Sequence, residues 1–238
     1  MNTVLHRAGT RGHENHGWLD THHTFSFADY HNSDRMNFGA LRVLNDDVIG
    51  PGTGFGRHRH NNMEIISIPL EGDLEHKDSM GNVAVIKQGD VQVMSAGSGI
   101  YHSEFNDNAD REAKFLQIWV FPNKDDVTPR YDQMTLDSDL LKNQLYQILS
   151  PDADDQGVWI YQNAWFHMGE LDKGFETTYQ LKDSQNGVYA FVIEGDITIE
   201  GQMLNKRDGL GIWETPAIHI KADSNATLLL MEVPMSVE

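Results

Sequence analysis

The chain has 238 residues, no cysteine, 36 acidic against 18 basic side chains and a formal net charge of −18. This excludes disulfides, Cys-ligated zinc, iron–sulfur clusters and thiol nucleophiles, and argues against a surface built for nucleic-acid phosphates or anionic lipid. The length suits one to two domains; no run approaches the ~20 apolar residues of a membrane helix and the first thirty residues carry no signal-peptide core, so a cytoplasmic protein is expected.

Short alternating runs dominate the first half. Residues 38–43, 63–69, 90–94 and 115–121 are rich in Val, Ile and aromatics and read as strands. Glycine-bearing turns at 50–56, 78–82, 88–90 and 97–99 separate them. Residues 122–133 and 150–157 are polar and proline-bearing, as linkers are. Between them 136–149 predicts a short linking helix, with leucines at helical spacing and Asp137 and Ser138 as caps. The strand pattern resumes at 158–162, 177–181, 188–193, 196–200, 211–214 and 226–233. The expected architecture is all-β: an N-terminal domain over 1–125, a linker over 126–152 and a C-terminal domain over 153–238.

The two halves echo each other. LEGDL at 70–74 matches IEGDI at 193–197, IYHSEFN at 100–106 matches AIHIKAD at 217–223, and FLQIWVFP at 115–122 matches TLLLMEVP at 227–234. An internal repeat of this size implies two similar β-domains in tandem.

One cluster is rich in chemistry. RHRHNNME spans 57–64 and GSGIYHSE spans 97–104. Residues i and i+2 of a strand share a face, so His58 pairs with His60 and His102 with Glu104. Two antiparallel strands offering these pairs close three imidazoles and one carboxylate around one cation. That set suits Fe(II), Ni(II), Mn(II), Cu(II) or Zn(II), and on an octahedral ion leaves two positions open. Glu64, four residues after His60, shares its parity if the strand continues, as a ligand or as an acceptor for an imidazole N–H.

G-x5-HxH-x3-E-x7-G at 52–72 and G-x5-SAGSGI-x-HSE at 89–104 resemble the two cupin motifs. The wording GFGRHRHNNMEI, GDVQVMSAGSGIYHSE and HGWLDTHHTFSFADY is similar to the pirin family. The resemblance implies a bicupin of two stacked β-barrels, with one metal, usually Fe(II), on His58, His60, His102 and Glu104 of the first. It further implies a quercetin 2,3-dioxygenase-like activity, opening a flavonol ring with O2 and releasing carbon monoxide. Arg59 replaces the usual proline between the motif histidines and is expected to add a cation near the site mouth. Glu104 or Glu64 would take the flavonol hydroxyl proton, with Phe55, Met63 and Gln117 as candidate pocket lining. The competing reading is a metal-containing redox sensor or co-regulator that binds a protein partner.

The second half lacks this set. His219 is followed by Ile220 and Lys221 where a carboxylate would be needed, and reads as an ordinary packed or surface residue. His13, His16, His22, His23 and His31 fit no single face and read as a polar segment lying across the barrels. Trp18, Trp119, Trp159, Trp165 and Trp213 read as mostly core.

Overall fold

The computed structural model describes residues 1–236. The first half contains β1 (Asn2–His6), β2 (Gly12–Asn15), β3 (Leu19–His23), β4 (Leu41–Ile49), β5 (Gly54–His60) and β6 (Glu64–Glu71). It continues with β7 (Leu74–Asp78), β8 (Val83–Ile86), β9 (Asp90–Ser95), β10 (Ile100–Asn106), β11 (Ala113–Val120) and β12 (Arg130–Thr135). The second half contains β13 (Tyr146–Ser150), β14 (Val158–Trp159), β15 (Trp165–Leu171), β16 (Glu176–Gln180) and β17 (Asn186–Glu194). Then come β18 (Ile197–Ile199), β19 (Gln202–Leu204), β20 (Gly209–Trp213), β21 (Ala217–Ala222) and β22 (Ala226–Pro234). No helix among the described residues is long and apolar enough to cross a membrane.

These strands make two barrels of like topology. The first joins a seven-stranded sheet, β12-β9-β6-β11-β4-β3-β2, to a four-stranded sheet, β5-β10-β7-β8. The second joins β1-β20-β17-β22-β15-β13-β14 to β16-β21-β18-β19. The inner strands correspond, β9-β6-β11-β4 with β20-β17-β22-β15 and β5-β10-β7-β8 with β16-β21-β18-β19, which bears out the repeat read from the sequence; the outer strands differ, β2 and β3 pairing antiparallel and β13 and β14 parallel. The glycines of LEGDL and IEGDI, Gly72 and Gly195, turn equivalent corners at φ 76° and 78°, a backbone region open to glycine.

The seven-stranded sheets pack on each other. Between them lies the largest core cluster, which takes Ile66, Ile68, Val93, Leu116 and Ile118 from one sheet and Phe166, Tyr189, Phe191, Leu229 and Met231 from the other. Each of these sheets is therefore buried on both faces. This explains why β9 is buried at every position and β17 at all but its last, a continuous rather than alternating pattern.

Three expectations are corrected. Residues 136–149 hold only a three-residue 3-10 turn, Ser138–Leu140, followed by β13. Asn143 at φ 51° breaks the chain there, and pairing of β13 with β15 outweighs the leucine spacing. Residues 126–152 are not a free linker, because β12 pairs with β9 and completes the first sheet. Nor does the first domain own residues 1–125 outright: β1 pairs with β20 at the edge of the second sheet. Each barrel thus borrows its edge strand from beyond the boundary drawn on the sequence.

A candidate metal centre in the first barrel

Strand β10 lies between β5 and β7. Its alternation puts Ile100, His102 and Glu104 inward, with Tyr101 exposed. His58 stands directly opposite His102, and a register shift between His102 and Glu104 brings Glu104 opposite Phe55. The imidazole centroids of His58, His60 and His102 are 4.4–4.9 Å apart with steep mutual tilts. Ligand atoms of these three lie within 4.8 Å of one another, as do those of His76, His102 and Glu104. The close approach of β5 to β10 needs Gly54, whose Cβ would collide with the Glu104 carbonyl and the Phe105 backbone.

Each group is prepared for a cation. His58 Nδ1 donates to the Gly56 carbonyl (2.7 Å), which leaves Nε2 bare. His102 is 2% exposed, and neither of its ring nitrogens has a hydrogen-bond partner. Burial, reinforced by the neighbouring imidazoles, lowers His60 to about 4 and His102 to about 3. Both are therefore neutral at pH 7, the form that ligates. Glu104 Oε1 accepts from Ser67 Oγ (3.0 Å) and Oε2 from Gln117 Nε2 (2.8 Å). Orphaned buried nitrogens, a held carboxylate and the mixed N/O donor set fit a divalent transition metal.

The centre opens into a cavity of about 440 Å³, lined by Trp18, Phe27, Phe55 and Trp119 beside the four candidate ligands. The size is that of a small-molecule pocket. Trp119 stands edge-on to His60 at 4.9 Å, and Trp18 edge-on to Phe55 at 5.2 Å. Asp47 also lines it; Thr21 donates to Asp47, yet burial pushes this carboxyl up to about 7.

The remaining expectations divide. Phe55 and Gln117 line the cavity, whereas Met63 packs with Ile65, Met94 and Ile100. Glu64 is not in the cavity, a correction to its reading as ligand, acceptor or base. It shares the face of Ile66 and Ile68, which look into the core between the barrels, while Ile65 lines the cavity. Ser95 donates to Glu64 (2.6 Å), and burial raises Glu64 to about 7 despite the counteracting Ser95, the Tyr161 backbone and Arg130. The alternation fails because β5 ends at His60 and Asn62, at φ 46°, turns the chain before β6. Arg59 crosses the 97–99 turn, donating to the Ser98 carbonyl (3.3 Å), and is not part of the cavity wall. Trp18 and Trp119 are half-buried cavity walls rather than core.

Sequence reasoning missed His76 and His23. His76 is wholly buried behind His102, with ring centroids 5.4 Å apart, and its Nε2 lies 3.2 Å from Asp78. The alternation of LEHKD, buried at Leu74 and His76, was the available signal. His13, His22 and His23 do not lie across the barrels, since they belong to β2 and β3, which extend the first sheet. His13 there hydrogen-bonds Asp20 at the surface, while His23 is buried.

The second barrel is filled instead by Val188, Val192, Ile197, Ile199, Ile218, Ile220 and Leu228 among others. His219 aligns with His102 in the repeat but has opposite parity: Ile218 and Ile220 point inward and His219 outward. Its surface reading holds.

Fold and site together define a bicupin whose first barrel carries a metal-type centre and whose second is packed solid. A family model described as pirin matches residues 4–120, and one described as the quercetinase C-terminal cupin domain matches 147–233. A quercetin 2,3-dioxygenase of Escherichia coli K12 is 44% identical over 230 residues, 97% of this chain and 98% of that protein. A putative quercetin 2,3-dioxygenase of Zymomonas mobilis is 39% identical over 92% of this chain and 93% of its own length. The crystal structure of a bacterial pirin of Escherichia coli in complex with nickel(II) superposes with a TM-score of 0.93 at 42% identity, covering 99% of this chain and all of that one. The chain belongs to the pirin family.

Proposed function

We propose that this protein is a metal-dependent dioxygenase that opens flavonols such as quercetin, with one divalent metal held by His58, His60, His102 and Glu104. The observation that carries the reading is the aromatic-walled cavity that these four residues line. A concave, aromatic-lined pocket of small-molecule size favours a small-molecule substrate over the sensor reading, in which the output is contact with a protein. The curated relatives support the same substrate class by name. Fe(II) is the family expectation, and the donor set takes Ni, Mn, Cu or Zn as well.

When bound, the metal supplies Lewis-acid polarisation of the flavonol 3-oxygen and lowers its pKa. The chain's own residues do the rest. Trp18, Phe55 and Trp119 offer flat apolar surface for a planar substrate and displace water from around it. Ser67 and Gln117 hold Glu104 in one orientation by donating to both of its oxygens. Glu104, a carboxylate with a second oxygen, would receive the substrate's hydroxyl proton, because the lone pairs of His60 and His102 would be taken up by the metal.

The test is anaerobic reconstitution with each of the five metals, followed by admission of oxygen and measurement of the loss of quercetin absorbance. Metal-dependent turnover that vanishes in His102→Ala supports the reading. Stoichiometric metal with no turnover in any form overturns it for flavonols.

A further inference from the structure

The cavity has a second polar end, away from the metal ligands. Ser67, Gln117, Asn45 and His23 sit opposite one another on β6, β11, β4 and β3 and form one row across the sheet. The first two are engaged by Glu104. At the other end His23 Nδ1 donates to Asn45 Oδ1 (2.9 Å), which leaves Nε2 with a lone pair and no hydrogen-bond partner. The His23 side chain is 2% exposed and lines the cavity. Glu14, also on the wall, places Oε1 4.0 Å from His23 Nε2, while its Oε2 lies 3.2 Å from His16 Nε2. Burial lowers the His23 pKa, with Asn45 and Glu14 opposing, which favours the neutral ring.

Two acceptors therefore face the cavity side by side with no donor between them. A buried acceptor left without a donor is costly, so a ligand end that brings none is rejected. Strands lie ~4.8 Å apart, which puts His23 about 10 Å from Gln117. That is the order of the span from the chelating oxygens of a flavonol to the hydroxyls of its pendant ring.

We propose that His23 Nε2 and the Glu14 carboxylate form a subsite for hydroxyl donors on the substrate ring remote from the metal, selecting polyphenols hydroxylated on that ring. This rests on the flavonol reading above and adds the specificity of the same cavity.

The test compares two ligands on the metal-loaded protein under nitrogen: quercetin, with two hydroxyls on the pendant ring, and galangin, which has none. Dissociation constants come from quenching of tryptophan fluorescence. Wild type is expected to bind quercetin ~10-fold more tightly, the effect of about one well-made hydrogen bond. In His23→Leu the ratio of the two constants falls to about one. Glu14→Gln, at a partly exposed position, lowers the ratio in a variant whose folding is not at risk. Metal content of both variants is checked against wild type. Equal affinities in wild type, or a ratio that survives both substitutions, overturn the subsite and leave the dioxygenase reading standing. Failure of both flavonols to bind wild type overturns the flavonol reading and the subsite with it.

Discussion

Gln117 Nε2 donates to Glu104 Oε2 over 2.8 Å, and both side chains are buried. The bond ties the floor of the seven-stranded sheet to a candidate ligand on the opposite sheet. Removing it frees a carboxylate whose orientation the metal needs. Gln117→Leu is expected to weaken metal binding 10–100-fold, measured by competition with a chromogenic chelator, with the fold retained.

Glu64 gives a test by pH. Its folded pKa of about 7 lies above the unfolded value near 4.3. Between these the folded state holds a proton that the unfolded chain has released, so stability falls as pH rises through the window. An amide in its place cannot titrate. The stability of Glu64→Gln relative to wild type is therefore expected to grow by on the order of 2–3 kcal/mol from pH 5 to pH 8, read from urea midpoints across pH. Metal content and flavonol turnover are expected to persist, because Glu64 faces the core between the barrels; loss of metal would place it back at the centre.

Asp46 joins the halves of the molecule. It lies 3.1 Å from Arg11 and 3.1 Å from Arg207, all three being largely buried. Truncating the carboxylate leaves two neighbouring guanidinium groups without their counter-charge, which costs about 3–5 kcal/mol. Asp46→Ala is expected to lower the urea midpoint while wild-type metal stoichiometry is kept at low denaturant.

Gly54→Ala should act on the centre through the backbone. A Cβ there meets the Glu104 carbonyl and the Phe105 Cα, neither the end of a flexible side chain. Parting β5 from β10 moves His58 and His60 away from His102 and Glu104. Loss of metal by elemental analysis is the expected result; Gly56→Ala, where nothing lies within 4 Å of the added Cβ, is the matched control.

Much of this was legible in the chain, because strand alternation is a local rule. His58, His60, His102 and Glu104 sit where period-two reading places them, and the repeat appears as two sheets of equivalent order. What failed was long-range or lay at a break in the alternation. The turn at Asn62 reset the parity and moved Glu64 to the other face. Pairing with β15 made a strand of 146–150 where leucine spacing suggested a helix. Nothing local shows β1 crossing to the second sheet, since its partner β20 is some two hundred residues away. His23 was masked by four other histidines nearby, and only its pairing with Asn45 sets it apart.

The most direct test of the central claim is a stoichiometric one. Metal-loaded protein is mixed with quercetin without oxygen, oxygen is then admitted, and quercetin loss, oxygen uptake and carbon monoxide release are followed together. The account predicts no reaction before oxygen, equimolar changes in all three afterwards, and none in His102→Ala. Quercetin that stays intact on a fully metallated protein, or that is lost equally fast in His102→Ala, would contradict it.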